Sequence, residues 1–326
     1  MIRVGLISLA HMHGLSYGRA LQSMSDAQFV GIYDRDVERR DKYAKEFGVT
    51  SFETLDGLLA EVDAVMICSE NSLHAKYTLA AAKAGKHVLC EKPLATNLDD
   101  AHEMVRVCQE RGVVLQTAFS IRFSTPVVRA KEIIDSGAIG KILAINGTNH
   151  GKMPPGWFLD QELAGGGAVF DHTVHVTDIM RWYLGSEVKE VYAEVDTALH
   201  EDVDIDDVGM LTMEFEDGTI ATLDPSWSRP KTFPTWGDVT LKVIGTEGTL
   251  DIDAFAQAGE VFSDEVGHSQ YYFWGDDADR AMVEDFLASI REKREPRATG
   301  LDGLRATEVA LAAYEAARQL KPIKLR

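Results

Sequence analysis

Through the first third of the chain, short apolar runs take turns with longer amphipathic ones. IRVGLIS precedes GLSYGRALQSM, FVGIYD precedes VERRDKYAKEFG, DAVMICS precedes SLHAKYTLAAAKAG, HVLCE precedes NLDDAHEMVRVCQERG, and VVLQTAF closes the series. The short runs are apolar at successive rather than alternate positions, which is what a strand buried on both faces requires. The amphipathic runs carry helix signals of their own. Asn97 followed by Asp99 and Asp100 reads as an N-cap with first-turn acids, and Gly85 and Gly112 stand where helices should end. Residues 1–122 are therefore expected to form a doubly wound parallel sheet with helices on each side.

Beyond residue 122 the rhythm changes. A helix (TPVVRAKEIIDSG) leads to a strand (KILAINGTNH), a Pro-Gly loop (KMPPGW) and a long helix from GGG to WYLG. VKEVYAEVDTAL, DVGMLTMEFEDGTIATLDPSW and DVTLKVIGTEGTLDID then alternate with period two around E-D-G and T-E-G turns, the pattern of an antiparallel sheet. Helices near 277–292 and 302–320 end the chain. Residues 123–326 read as an α+β domain with a large, mostly antiparallel open sheet, and its last helix could pack back on the first domain. Too few helices follow to cover both faces of that sheet. VGMLTMEF and VTLKVIG suggest apolar residues on both sides, so a second copy of the chain is expected to cover the open face in a homodimer or homotetramer.

Composition narrows the partners. The 326 residues exceed one ordinary core, and a formal charge of −19 argues against nucleic acid, whose phosphates need clustered Lys and Arg. No apolar run approaches the roughly 18 residues of a membrane span, and MIRVGLISLA is too short for a signal peptide. Cys68, Cys90 and Cys108 lack metal or redox spacing and read as buried, reduced thiols, which places the chain in the cytoplasm.

In a doubly wound sheet, ligands bind beyond the carboxyl ends of the strands where the strand order reverses. The stretch VGLISLAHMHG occupies that position, with Ser8, Ala10 and His13 in the slots of a G-x-G-x-x-G turn and His11, Met12 and Gly14 between and after them. Ser8 and Ala10 are small enough for a diphosphate to come close, and the helix start still offers its amides. Asp34 ends the second strand, where an acid receives ribose hydroxyls and disfavours a 2′-phosphate. Arg35 beside it could instead hold that phosphate, so NAD is expected with NADP possible. Asp34 could equally be a turn or helix-cap acid. Two further strand exits carry polar groups: Ser69, Asn71 and His74 in CSENSLH, and Glu91 and Lys92 in CEKPLA. A charged pair directly after a buried strand, followed by Pro93, points into the ligand crevice rather than to a plain surface.

E-K-P after the fifth strand, with S-E-N-x-x-H one unit earlier, resembles the glucose–fructose oxidoreductase and inositol 2-dehydrogenase (Gfo/Idh/MocA) family. The likeness extends through QTAFSIRF, GAIGKI, GGGAVFDHTVH, F-E-D-G-T, G-T-E-G-T and T-G-L-D-G-L-R-A-T-E-V. It implies a Rossmann-type domain followed by a substrate domain, and an NAD(P)-dependent dehydrogenase of a sugar, cyclic polyol or derivative. By the same resemblance Lys92, Asp171 and His175 match the family's catalytic lysine, aspartate and histidine.

The residues carry a compatible reading. Asp171, His175 and Asp178 share one helix face with Trp182, and a buried, acid-capped histidine is the alternative to a functional one. His175 is expected to accept the hydroxyl proton, Lys92 to steady the developing alkoxide, and Asp171 to orient the imidazole and a substrate hydroxyl. His172, Arg122 and Trp157 are further substrate-side candidates, with Trp227 and Arg229 behind them. His11, His13 and Asp171 could assemble a metal site, but no fourth ligand is evident and the resemblance implies none, so no metal is expected. Two other functions stay open: an enzyme that keeps NAD bound and uses transient oxidation to epimerise or to cleave a glycoside, and a catalytically silent nucleotide sensor.

Overall fold

The computed structural model describes residues 1–325 apart from Phe262, Val266, His268, Ser269 and Trp274. The chain divides into two compact units, one of residues 1–120, 162–165 and 279–307, the other of residues 121–161, 166–278 and 308 onward. The first opens with β1 (Ile2–Ile7), α1 (His13–Ser23), β2 (Ala27–Tyr33), α2 (Val37–Phe47), β3 (Thr50–Phe52), α3 (Leu55–Glu61), β4 (Ala64–Ile67), α4 (His74–Lys83), β5 (His87–Cys90), α5 (Leu98–Arg111) and β6 (Leu115–Thr117). All its strands pair in parallel in the order β3-β2-β1-β4-β5-β6. The order reverses between β1 and β4, so the exits of these strands border the ligand crevice of such a sheet.

Local chemistry explains the elements. Every residue of β4 is buried, as a continuously apolar run demands. The Asn97 side chain accepts the Asp100 amide at 2.9 Å, and α5 stops at Gly112, whose φ of 64° suits glycine. β3 and α3 escape the sequence pattern because they are three and seven residues long, too short for a period to register. Thr54 marks the helix start by accepting the Gly57 amide at 3.1 Å.

The remainder of the chain adds α6 (Thr125–Asp135), β7 (Ile142–Thr148), α7 (Gln161–Ala164), α8 (Ala168–Leu184), β8 (Val188–Asp196), β9 (Val208–Phe215), β10 (Ile220–Asp224), β11 (Thr240–Gly245), β12 (Thr249–Asp253), β13 (Ala258–Val261), β14 (Gln270–Phe273), α9 (Ala278–Glu292), α10 (Gly300–Gln319) and β15 (Ile323–Lys324). Most of α9 and the first turns of α10 group with the parallel-sheet unit. Gln116 there donates to the Met282 carbonyl at 3.2 Å, and the Thr117 amide donates to the Ala298 carbonyl at 3.0 Å.

The second unit is built on a sheet ordered β12-β11-β7-β10-β9-β8-β15, in which β7 and β10 are the parallel pair and the other pairs are antiparallel. α8 lies on its inner face. A Cβ at Gly147 would come within 2.7 Å of Val176, and one at Gly209 within 2.3 Å of Val169, so glycine in the strands lets the helix seat closely. The outer face is mixed rather than apolar: Met210 and Ile220 are exposed, but Asn146, Glu194, Thr212, Thr222 and Lys242 surround them. Among the described residues no helix is long and apolar enough to cross a membrane.

Candidate active site

The turn from β1 into α1 is shaped by Ser8, which is buried with a φ of 67°. Its hydroxyl donates to Asp34 Oδ2 at 3.0 Å and accepts the Ala10 amide at 3.2 Å. A serine thus does the work expected of glycine, using its side chain to hold the left-handed bend. α1 has no acid in its first turn; its His13 amide donates to His11 Nδ1 at 3.3 Å and its Gly14 amide to the His11 carbonyl at 3.1 Å, so the turn itself closes the helix start while adding no negative charge to the positive end of the dipole. A Cβ on Gly14 would lie 3.3 Å from Cys68 Cβ, the close approach that brings the helix start to the exit of β4. Met12 is exposed and Ala10 half-buried at the rim. Ser8 and Ala10, the small residues at the exit of β1, fit the close approach of a dinucleotide diphosphate.

Asp34 ends β2 as anticipated, but its carboxylate is already crowded. It accepts from the Ser8 hydroxyl, the Leu9 and Asp36 amides, and both Nε (2.7 Å) and Nη2 (2.8 Å) of Arg39. Burial alone would raise its pKa, yet Arg39 and the two amides outweigh that and hold the carboxyl below its ordinary value. Arg35 does not stand at this position; it pairs with Glu70 at 2.8 Å. The guanidinium beside Asp34 is Arg39, which the sequence reading passed over. Its signal lies in D-R-D-V-E-R: Asp36 caps α2 by accepting the Arg39 amide at 2.9 Å, which aims that side chain back at Asp34.

Glu91, at the exit of β5, is fully buried. His13 Nδ1 lies 3.1 Å and His11 Nδ1 4.0 Å from its Oε1, and the Tyr17 hydroxyl donates to the same oxygen. Burial would raise this carboxyl, but His11, His13 and Lys92 hold it far below the usual range. Conversely, burial would lower His13, and Glu91 overrides it to raise the imidazole. Lys92 is itself buried, and its amide donates to Glu91 Oε2 at 3.2 Å.

The other strand-exit candidates serve this loop from behind. His74 has no exposed surface; its ring reaches the Pro93 carbonyl at 2.9 Å and the Ser69 carbonyl at 3.3 Å, and burial lowers its pKa. It ties the E-K-P turn to the end of β4. Asn71 donates to the Ala164 carbonyl at 2.8 Å, and the Ser69 hydroxyl to the Glu70 carbonyl at 3.1 Å.

In the second unit, the three glycines before α8 have no side chain to cap it, and the cap comes from elsewhere. Asp206 accepts the Gly167 and Val169 amides, each at 2.8 Å, and the Tyr314 hydroxyl at 2.7 Å. A Cβ on Gly167 would fall 1.9 Å from the Asp206 carbonyl oxygen, so glycine is required there. This anchored start presents Asp171 in the first turn and His175 one turn on. His172 is not idle between them. Its Nδ1 donates to the Pro225 carbonyl at 2.9 Å, which turns Nε2 toward Asp171 Oδ2 at 3.4 Å.

Asp178, one turn beyond His175, instead meets Arg122: Nε donates to Oδ2 at 2.8 Å and Nη2 to Oδ1. Both are buried, so Arg122, named above as a substrate-side candidate, here forks onto an interior acid. Trp157 stacks on Phe158 with centroids 4.0 Å apart. Trp227 is buried against the His172 ring, and Arg229 donates to Asp238 at 2.7 Å. Sequence reasoning missed His150, whose ring lies 3.1 Å from Asp224 and 3.2 Å from Asp238. Hydrogen bonds donated by the ring to those two carboxylates push its pKa up to about 9. His150 follows β7 in N-H-G, where the polar triplet ending an apolar strand was the available sign.

Residues 2–119 match the family described as an oxidoreductase family with an NAD-binding Rossmann fold, and residues 127–251 match the GFO/IDH/MocA C-terminal domain. A 1,5-anhydro-D-fructose reductase of Ensifer adhaerens is 34% identical over 89% of this chain and 89% of its own length. The chain belongs to the GFO/IDH/MocA oxidoreductase family. A myo-inositol 2-dehydrogenase of Thermotoga maritima is 29% identical over 99% of this chain and 98% of its own. Among solved structures, GenD2 from gentamicin A biosynthesis in complex with NAD superposes with a TM-score of 0.90 at 25% identity, covering 100% of this chain and 96% of that one.

Proposed function

We infer that the protein transfers hydride between a nicotinamide cofactor and a secondary hydroxyl of a sugar, cyclic polyol or related derivative. The observation that carries this reading is the diphosphate cradle at the β1/β4 reversal beside a buried lysine leaving β5, in a chain of an NAD-binding oxidoreductase family. NAD, when bound, supplies the nicotinamide C4 that takes up hydride.

The chain's own residues handle the proton and the charge. His175 accepts the hydroxyl proton, because an imidazole titrates near working pH. Lys92 donates to the oxygen as negative charge grows on it, a contribution of about 10² to 10³ in rate when made by a fixed donor. Asp171 receives a neighbouring substrate hydroxyl, beside the His172 ring that is anchored to the Pro225 carbonyl. Ser8, Ala10, His11, Met12 and His13 line the cofactor turn, and Asp34 receives the ribose hydroxyls by exchanging some of its present donors. That makes NAD the preferred cofactor, while Arg39 offers a 2′-phosphate of NADP a partner.

Met210 and Ile220 on the outer sheet face support assembly into a homo-oligomer through that face. Three buried free cysteines support a reducing, cytoplasmic setting. The test is NAD(P)H absorbance against a library of sugars and inositols. Net reduction of NAD by at least one polyol is expected. Cofactor retained through purification, with no net turnover on any substrate, would instead favour transient oxidation.

A further inference from the structure

We propose that His11, His13 and Glu91 form a binding site for one divalent transition-metal ion, bridging the β1–α1 turn and the exit of β5. One donor atom from each residue lies within 4.8 Å of the other two. His13 Nδ1 and His11 Nδ1 stand 3.1 and 4.0 Å from the same Glu91 oxygen. Ligands about 2.0 to 2.2 Å from a common ion sit roughly 3 to 3.5 Å apart, so His13 and Glu91 already have ligand spacing, whereas His11, whose Nδ1 accepts the His13 amide at 3.3 Å, gives up that bond to turn onto the ion. The two imidazole centroids are 4.4 Å apart, with the rings edge to face.

The donor set decides the class of ion. Two imidazoles and a carboxylate suit Zn²⁺, Co²⁺ or Ni²⁺, whereas Mg²⁺ and Ca²⁺ prefer oxygen alone. Three protein donors leave a position for water or another oxygen. The Tyr17 hydroxyl, bonded to the same Glu91 oxygen, would orient that carboxylate from behind. The electrostatic surroundings also favour a cation: Glu91 and Asp279 both act on His13 with negative charge, opposed by Lys92. A second observation comes from the turn itself. A diphosphate cradle asks for small residues, yet this one carries His11 and puts His13 where the third glycine would stand. Two bulky imidazoles in such a place, both turned to a buried acid, are better explained by a metal than by the nucleotide.

All three donors belong to one unit, so the proposal does not rest on the dehydrogenase reading, and its test measures metal rather than turnover. The full-length protein is stripped with a chelator, desalted and titrated with Co²⁺ while visible absorption is followed; Zn²⁺ is then added in competition. One equivalent per chain is expected, with cobalt bands that disappear as Zn²⁺ displaces it. Glu91→Gln and His13→Ala should each weaken Co²⁺ binding by at least about tenfold, and His11→Ala with His13→Ala by more than about a hundredfold. His150→Asn, which alters the separate histidine–carboxylate cluster, should leave it unchanged. Absence of cobalt bands with the unaltered chain, or equal titrations for it and every variant, overturns the proposal. If circular dichroism shows Glu91→Gln to be unfolded, the two turn histidines decide.

Discussion

The two units hold buried charge in opposite ways. Around Glu91 the Tyr17 hydroxyl and His13 Nδ1 converge on a single carboxylate oxygen, with His11 just beyond, so one acid answers several partners. Around His150 the count is reversed, with Asp224 and Asp238 on either side of one imidazole and Arg229 behind Asp238. A third arrangement, Arg122 with Asp178, is a matched fork with both partners buried. The contrast teaches that desolvation is answered by partner number in one place and by partner geometry in another. Of the three, the first sits at a strand exit of the parallel sheet, on the side where the strand order reverses.

The sharpest test of that contrast removes the cation at the strand exit. Lys92→Ala should lower kcat by about a thousandfold or more, roughly 4 kcal/mol, while leaving NAD affinity near its original value. Steady-state kinetics with a cofactor fluorescence titration would measure both, and unchanged turnover would remove Lys92 from the chemistry. Breaking the matched fork should act on folding instead. Asp178→Ala takes the bidentate carboxylate from the buried Arg122, and urea unfolding should report a loss of about 3 kcal/mol, against less than about 1 kcal/mol for Arg106→Ala at the exposed Glu103 and Glu110 pairs.

His175→Ala should cost about a hundredfold in kcat and erase the rising limb of the pH–rate profile. An unaltered profile would assign the base elsewhere. Asp34→Ala should weaken NAD relative to NADP by about tenfold, because it removes the ribose acceptor and frees Arg39 for a 2′-phosphate. Equal changes for both cofactors would show that Asp34 serves the turn alone.

The smallest expected effect is a pH dependence of stability from His150. Its folded pKa of about 9 lies above the ordinary histidine value of 6.5. The folded state therefore binds the proton more tightly, so the contribution is complete below about pH 6.5 and fades as pH rises through about 9. Part of the ring is exposed, so roughly 1 kcal/mol is expected across that window. Thermal melts at pH 6 to 10, approximate limits set by ordinary histidine titration, should show the decline, and His150→Asn should flatten it.

Much of this was legible in one dimension because it depends on periodicity and on neighbours in sequence. β4 reads as buried on both faces and is so; Asn97 and Gly112 bracket a helix with the cap geometry their side chains dictate. Asp34 and Lys92 could be picked out because a strand exit is a short, recognisable place. Other features depend on residues far apart. Asp206 caps α8 from 39 residues away, Arg122 finds Asp178 at a separation of 56, and Glu91 meets His13 across 78. No local pattern announces such partners, since any acid of suitable reach would look the same in the string.

By itself, the sequence determined the alternation of strand and helix, the place where a dinucleotide could bind, and the family to which the chain belongs. These follow from backbone periodicity and short-range turn chemistry, which each segment carries within itself. Only the tertiary structure decided that residues 279–307 join the parallel-sheet unit, that Arg39 rather than Arg35 faces Asp34, and that the two turn histidines close on Glu91. Such outcomes are set by which buried charges come within reach of one another once the strands are paired, and that reach is a property of three dimensions.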